Sequence, residues 1–192
     1  MFASPSTRVR LMEITCASCV LRPLVPADAP SLARHANDRD VWRNLRDRFP
    51  HPYTLRDAES YIGAVAGRAP QTGFGIAVEG EAAGTIGLVP GDDIERCSAE
   101  VGYWLGRSFR GRGIVTDALR AVTAYAFDEL RLHRVFAVPF VHNEASRRVL
   151  EKAGYVREGV MRHSAIKDGQ VVDQFLYAAY DDRWLGGRTA GA

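Results

Sequence analysis

One segment decides how the chain folds: Ala99-Glu-Val-Gly-Tyr-Trp-Leu-Gly-Arg-Ser-Phe-Arg-Gly-Arg-Gly-Ile-Val-Thr-Asp-Ala118. Its first part, residues 99–105, is rich in β-forming side chains and predicts a strand. Residues 106–113 are rich in glycine and arginine and predict a turn. Apolar residues then recur at helical spacing, which predicts a helix from about Ile114 to Leu130. The segment is therefore a strand that leads through a Gly/Arg turn into a helix.

The Gly/Arg turn has the properties of a diphosphate site. The first backbone amides of a helix have no partner within the helix, and the helix dipole adds about half a positive charge there. Gly111 and Gly113 leave the backbone accessible to an anion, while Arg110 and Arg112 add positive charge. Taken alone, the turn also fits a purely structural connection or a loop that touches nucleic acid. It does not fit a Rossmann site, because the glycine spacing is wrong.

The rest of the chain predicts the element order β-α-α-β-β-β-α-β-α-β-β. Further strands are expected over residues 20–24, 74–78, 84–89, 135–141, 155–166 and 171–180. Hairpin turns are expected at Glu79-Gly80-Glu81 and at Asp168-Gly169. Helices are expected after the cap residues Asp28 and Thr54 and over residues 143–153. This order predicts an α+β (mixed α/β) chain with an antiparallel meander and one parallel crossover.

Length and composition are those of one globular domain. The chain has 192 residues, of which 46% are hydrophobic and 25% charged, and its net charge is only +2. We expect a flexible arm over residues 1–14, a single domain over 15–185 and a disordered tail over 186–192. The balanced charge argues against direct nucleic-acid binding. No apolar run is long enough to span a membrane, and residues 1–10 lack the apolar core of a secretory signal.

The cysteines and histidines give neither a disulfide framework nor a metal site. Three cysteines without a signal sequence indicate a reducing, cytoplasmic compartment. Cys16 and Cys19 have the spacing of a redox or zinc pair, but no second pair accompanies them. We interpret them as small packing residues near the first strand. The five histidines show no ligand spacing with carboxylates or cysteines, so no metal is expected.

Four ordered motifs resemble the GNAT N-acetyltransferase superfamily, and in particular its RimJ/RimL-like branch. Residues Arg110-Gly-Arg-Gly113-Ile-Val115 match the Arg/Gln-x-x-Gly-x-Gly/Ala signature of that superfamily. The other three motifs are Leu21-Arg-Pro-Leu24, residues 99–105 and Asn143-Glu-Ala-Ser-Arg-Arg-Val-Leu-Glu-Lys-Ala-Gly-Tyr155. The terminal hairpin around Lys167-Asp-Gly169 also fits the resemblance. The resemblance implies a mostly antiparallel twisted sheet of about seven strands with a splayed parallel pair, flanked by about four helices.

The resemblance also implies an enzyme. It would be an acetyl-CoA-dependent N-acetyltransferase that moves an acetyl group to a primary amine by direct attack in a ternary complex. Acetyl-CoA would act as cosubstrate and lie between the splayed strands, here residues 99–105 and 135–141, with its diphosphate on the Gly/Arg turn. The implied cofactor-binding residues are Tyr103, Trp104, Leu105, Arg110, Gly111, Arg112, Gly113, Ile114, Val115, Thr116, Asn143, Ser146 and Arg147.

Three residues are candidates for the chemistry: Glu100, Tyr103 and Ser146. Strand alternation places Glu100 and Tyr103 on opposite faces of the sheet. Glu100 is either the base that takes the amine proton or a surface glutamate paired with an arginine. A backbone N–H near Tyr103 would bind the thioester oxygen. Many superfamily members place a tyrosine where this chain has Leu150, so Ser146 is the candidate partner of the CoA thiolate, unless it bonds its own helix backbone.

The acceptor side is predicted from composition. Residues 37–55 are rich in charge, aromatic rings and proline, and we expect them to form a lid between the first helices. The candidate acceptor-binding residues are Trp42, His51 and Tyr53 in this lid and Arg162 in the terminal hairpin. For His51, which lies between Pro50 and Pro52, the pattern favours surface packing over a position that faces the ligand. Arginines near this mouth would favour an acidic peptide as the acceptor over a small amine.

An inactive CoA-binding sensor or interaction module is the alternative function. It is kept open by Leu150 and by Val115, which stands where the superfamily usually has glycine or alanine. The expected partners are acetyl-CoA and an amine acceptor, either a peptide N-terminus or a small amine. The chain is expected to be a monomer or a homodimer. No motif specifies the acceptor or the length of the acyl chain.

Overall fold

The computed structural model describes residues 12–183, in which one mixed sheet separates two layers of helices. The strands are β1 Ile14–Thr15, β2 Val20–Arg22, β3 Gly73–Val78, β4 Glu81–Pro90, β5 Ser98–Leu105, β6 Arg134–Ala137, β7 Val156–Lys167 and β8 Gln170–Tyr180. The helices are α1 Ala29–Ala36, α2 Arg39–Trp42, α3 Leu55–Val65, α4 Ile114–Asp128 and α5 Glu144–Lys152. The predicted α+β class and element order are confirmed. The strand β1 adds to the predicted count, and α2 lies in the segment 37–53, which the sequence predicts as a short helix and loop.

The strands are ordered β1-β2-β3-β4-β5-β6-β8-β7 across the sheet. The pair β5 and β6 is parallel, and its register runs only from Ser98↔Arg134 to Glu100↔Phe136. On its other side β5 stays paired with β4 as far as Leu105. The parallel pair therefore separates after Glu100, which confirms the predicted splay.

A proline explains where β6 ends. The strand was expected to reach residue 141, but it ends at Ala137, two residues before Pro139. Proline has no N–H to donate to a neighbouring strand. The chain beyond β6 instead follows β8: the Pro139 carbonyl accepts the Phe175 N–H at 2.9 Å, and the Val141 N–H donates to the Asp173 carbonyl at 3.0 Å. This segment therefore leaves β5 and opens the gap.

The two faces of β5 belong to different cores. Val101 and Leu105 are 3% and 6% exposed and lie in the core formed with α4 and α5. Trp104 packs on the other side, against the core formed with α1 and α3. The predicted alternation along this strand is confirmed. Each face of β5 thus presents its side chains to a separate helical layer.

The two predicted helix caps behave differently. Thr54 caps α3 as expected: its hydroxyl accepts the Asp57 N–H, and the Asp57 carboxylate accepts the Thr54 N–H. The expectation that the Asp28 side chain caps α1 is wrong. A 3₁₀ turn precedes α1, so Asp28 already has helical backbone angles, and its carboxylate binds the Arg22 guanidinium and the Val25 N–H.

The N-terminal part of the described chain lies against the sheet. The Met12 N–H donates to the Gln71 side chain at 2.8 Å, and Ile14 pairs with Leu21. Cys16 and Cys19 flank the turn between β1 and β2, and the Cys16 N–H donates to the Cys19 carbonyl. Burial raises the pKa of both thiols, that of Cys19 to about 12, as expected for packing residues. Of the predicted arm over residues 1–14, residues 1–11 lie outside the described residues, as does the predicted tail over 186–192.

Two further features complete the fold. No helix within residues 12–183 is long and apolar enough to cross a membrane. The strand β7 lies at the edge of the sheet and forms the predicted hairpin with β8 through Asp168 and Gly169, both at positive φ. This hairpin ends with the buried side chain of Lys167, which contacts the lid.

Candidate active site

The gap between β5 and β6 exposes backbone groups of β5. The Gly106 N–H donates to the Ala83 carbonyl, and the Gly91 N–H donates to the Ser98 carbonyl. These two bonds show which residues of β5 are hydrogen-bonded to β4 in their antiparallel ladder. Alternate residues of such a ladder bond to the same neighbour. The backbone groups of Tyr103 and Leu105 therefore point away from β4 and into the gap. Both residues are among the predicted cofactor-binding residues.

Trp104 has the opposite orientation. Its backbone bonds to β4, as the same alternation requires, and its ring packs edge-on against Phe49 with the centroids 5.9 Å apart. The structure therefore does not bring Trp104 to the gap. The sequence motif runs through all three residues, so it does not distinguish Trp104 from its two neighbours.

The Gly/Arg turn meets the start of α4 in an open, glycine-dependent conformation. Gly111 and Gly113 have φ of +78° and +80°, and Gly113 is the N-cap residue of α4. A Cβ atom built on either glycine would meet no heavy atom within 4 Å. Glycine is therefore required here by the backbone angle, and the space beside it is free. Ile114 and Thr116 turn their side chains into the core, which leaves backbone N–H groups of α4 as the surface of this site.

The arginines of the turn are held by neighbouring groups. The Arg110 Nε donates to the Leu105 carbonyl at 3.2 Å, and Arg112 lies 3.3 Å from the Glu79 carboxylate. Asp38, at the N-terminus of α2, accepts hydrogen bonds from Arg107 at 3.1 and 3.2 Å. These bonds keep the pKa of Asp38 below its usual range. Sequence reasoning missed Asp38, because no local pattern links it to a turn so far along the chain.

The side chains of Ser146, on α5, and Tyr103, on β5, are in contact. The Ser146 Oγ lies 2.8 Å from the Tyr103 hydroxyl, and Asn143 caps α5 by accepting the Ser146 N–H at 3.1 Å. Since the Asn143 Oδ1 is used in this cap, its Nδ2 carries the donors for any contact with a ligand. Burial raises the pKa of Tyr103, so its phenol stays protonated. Leu150 is fully buried.

Glu100 lies on the other face of the sheet and is paired with the lid. The Arg46 Nη2 is 2.6 Å from Oε1 and 2.5 Å from Oε2 of Glu100. This is the arginine pairing that the sequence analysis kept as the alternative to a catalytic base. Glu100 therefore lies on the opposite face of the sheet from Tyr103 and Ser146. The gap between β5 and β6 is an opening in the sheet that connects the two faces.

The remaining acceptor candidates lie in different surroundings. Trp42 and His51 have ring centroids 5.8 Å apart in the lid. Tyr53 is only 7% exposed and stacks on Phe49 in the core formed with α1 and α3, where burial raises its pKa to about 12. Arg162 is exposed in an irregular part of β7. The structure thus groups Trp42 and His51 and places the other two elsewhere.

Arg147 and Val115, the remaining cofactor candidates, lie beside the same layer of helices. The Arg147 guanidinium lies over the Phe175 ring at 5.0 Å. Val115 is partly buried and packs against the core formed with α4 and α5. Its side chain therefore points into the protein, and a branched residue fits there.

Comparison with known proteins identifies the family. The model of the acetyltransferase (GNAT) domain matches residues 19–156. The chain therefore belongs to the GNAT acetyltransferase family of acyltransferases, in its RimJ/RimL-like branch, as the motifs predicted.

Two curated relatives and one solved structure illustrate the similarity. The Bacillus subtilis protein named "Probable N-acetyltransferase YjcK" is 34% identical over 165 residues, which are 82% of this chain and 91% of YjcK. A second protein of that organism, YdaF, is 38% identical over 112 residues, and this match spans 58% of our chain and 61% of YdaF. The ribosomal L7/L12 alpha-N-protein acetyltransferase RimL, solved with coenzyme A, has a TM-score of 0.78 at 22% identity. That match covers 89% of this chain and 99% of RimL, and it concerns the fold.

Proposed function

We propose that the protein transfers an acetyl group from acetyl-CoA to a primary amine, of a peptide N-terminus or of a small molecule, in a ternary complex. The observation that carries the proposal is the gap between β5 and β6, which opens beside the N-terminus of α4. The gap offers free backbone groups to an extended ligand, and the turn with Gly111 and Gly113 offers amides to a diphosphate. An extended chain that ends in a diphosphate is the shape of CoA. Membership of the RimJ/RimL-like branch favours a peptide N-terminus as the acceptor.

The reaction joins the amine nitrogen to the thioester carbon. A neutral amine attacks the carbonyl, the C–N bond forms, and the C–S bond breaks to release the CoA thiolate. Backbone N–H groups of Tyr103 or Leu105 in the gap are placed to stabilise the negative charge on the carbonyl oxygen. The amine proton passes to Glu100, directly or through water.

The CoA thiolate is stabilised by a hydrogen bond from the other face of the sheet. The Ser146 hydroxyl is held by the Tyr103 phenol at 2.8 Å. Because the phenol remains protonated, it can donate to Ser146 while Ser146 donates to the sulfur. This pair takes the place of the tyrosine that other superfamily members carry at the position of Leu150. Leu150 is buried in the core. The Ser146 and Tyr103 hydroxyls would therefore supply the hydrogen bond to the thiolate.

Thiol release from acetyl-CoA tests the proposal. The assay compares a panel of peptides and small amines, with Glu100→Gln and Ser146→Ala as the test variants. Glu95→Gln, on an exposed turn, and Ser31→Ala, on α1, are the matched controls. Amine-dependent release that falls in the test variants and persists in the controls supports the proposal. A loss in Glu100→Gln that higher pH restores supports its role as base. CoA binding without release for any amine favours the inactive sensor.

A further inference from the structure

Two consecutive residues of the lid form ion pairs of opposite polarity. Arg46 binds the carboxylate of Glu100 in the middle of β5. Asp47 binds the ammonium of Lys167 at the tip of the β7–β8 hairpin, at 2.8 Å. The lid is thus connected to two separate parts of the sheet through adjacent side chains.

The ion pair of Asp47 with Lys167 positions the ion pair of Arg46 with Glu100. The Lys167 side chain is 5% exposed, and its ammonium lies 4.0 Å from the centroid of the Trp42 ring. A buried charge with two such partners has little freedom to move. Asp47 is therefore held in place, and its neighbour Arg46 is directed at Glu100. The ion pair of Arg46 and Glu100 is a positioned feature of the acceptor mouth, and its two side chains are 58% and 25% exposed to an incoming ligand.

The charge around this mouth restricts which amines can approach Glu100. An acceptor amine enters largely as an ammonium, because its pKa lies at about 8 to 10. An ammonium beside Glu100 also lies beside the Arg46 guanidinium, and two positive charges in contact repel each other. Arg43, in the same lid, is paired with the Asp40 carboxylate at 4.0 Å, so Arg46 is the cation that an ammonium meets at Glu100. A simple amine therefore meets a carboxylate that is already paired with the Arg46 guanidinium.

We propose that the preferred acceptor is a peptide beginning with Asp or Glu, which carries a carboxylate close to its amine. Such an acceptor places its ammonium on Glu100 and its carboxylate on Arg46, so each charge in the mouth lies between two opposite charges. The amine and the carboxylate must then be about 4 Å apart, the length of one ion pair. This inference rests on the proposed function and specifies its acceptor.

The test compares two peptide amides that differ only in their first residue, Asp or Asn. With saturating acetyl-CoA, we expect kcat/KM for the Asp peptide to exceed that for the Asn peptide by at least about tenfold. In Arg46→Gln this preference should disappear. In Arg48→Gln, which removes an exposed arginine from the same lid, it should persist. The control separates a specific contact from the general effect of positive charge.

Equal values of kcat/KM for the two peptides, or a preference that survives in Arg46→Gln, would overturn the inference. Either result with measurable turnover would leave the proposed acetyl transfer intact. If neither peptide is acetylated, calorimetric titration of each into the CoA-saturated protein decides the matter. Binding of the Asp peptide alone, abolished in Arg46→Gln, would support the inference, and any other pattern would overturn it.

Discussion

The ion pair between Lys167 and Asp47 predicts opposite effects for its two ends, because the two side chains differ in exposure. Lys167 is 5% exposed and Asp47 is 66% exposed. Replacing Lys167 by Met removes a buried ammonium whose desolvation costs several kcal/mol. The change gives up a pair with a mostly exposed acid, about 0–1 kcal/mol, and a cation–π contact of about 1–2 kcal/mol. We therefore expect Lys167→Met to leave the free energy of unfolding unchanged or to raise it by about 1–2 kcal/mol.

Asp47→Asn should act in the opposite direction. It leaves the Lys167 ammonium buried against Trp42 without its counter-charge. Breaking a fully buried pair costs about 3–5 kcal/mol, and the exposure of Asp47 reduces this to roughly 1–3 kcal/mol, since water can reach the vacated position. For a chain of this size, each kcal/mol corresponds to about 2–4 °C in Tm.

Urea unfolding followed by tryptophan fluorescence measures both effects, since Trp42 contacts the ammonium. The matched control is Asp168→Asn in the same hairpin, because Asp168 is exposed and asparagine tolerates its positive φ. That change should stay within about 0.5 kcal/mol. If Lys167→Met were more destabilising than Asp47→Asn, the reasoning from desolvation would be refuted. The ion pair would then be a net source of stability.

Three other perturbations have defined outcomes. Tyr103→Phe removes the hydroxyl that holds Ser146 and should lower kcat for acetyl transfer about tenfold, as loss of one hydrogen bond predicts. Burial, followed by the Arg43 charge, lowers the pKa of His142. The folded state then binds this proton less readily than the unfolded chain, so NMR titration should give a midpoint below 6.5, and this site should lower the free energy of unfolding as pH falls below 6.5. Gly113→Ala should cost about 1–2 kcal/mol in urea unfolding, because alanine is strained at positive φ.

Each of these has a control or a contrary result. Tyr180→Phe removes a hydroxyl that binds Glu158, beside Arg134, where β5 and β6 are still paired. It should leave kcat unchanged, so an equal loss in both variants would argue against the role of Tyr103. A midpoint for His142 at or above 6.5 would contradict the effect of burial. Gly63→Ala, in the middle of α3 with open space around it, should be stabilising by up to about 1 kcal/mol. A loss there comparable with that of Gly113→Ala would remove the argument from backbone angle.

Features that depend on neighbouring residues could be predicted from the sequence. The capping box of Thr54 and Asp57 and the turn at Asp168-Gly169 each need only a few adjacent residues, and both were found. The Gly/Arg turn could also be predicted from neighbouring residues, because a strand, two glycines and a helix follow one another directly in the sequence. The end of β6 was misjudged, since the apolar residues after Ala137 suggested a strand that Pro139 interrupts.

Contacts between distant residues could not be predicted in this way. Ser146 meets a tyrosine 43 positions away, Arg46 meets a glutamate 54 positions away, and Lys167 meets an aspartate 120 positions away. Each pair depends on the arrangement of the whole sheet, and no spacing rule connects its members. The cofactor side of the site was therefore easier to foresee than the acceptor side, which is assembled from such contacts.

The separation of β5 from β6 also bears on how proteins of this fold diverge. The two sides of this gap, or slot, are held by backbone hydrogen bonds. β5 bonds to β4, β6 bonds to β8, and Pro139 follows the end of β6. Side chains along these strands can be replaced without changing these backbone hydrogen bonds, and RimL shares the fold at 22% identity. The lid and the hairpin depend on individual charges instead. One lineage can therefore change its acceptor by exchanging a few side chains in these two segments while inheriting the slot unaltered.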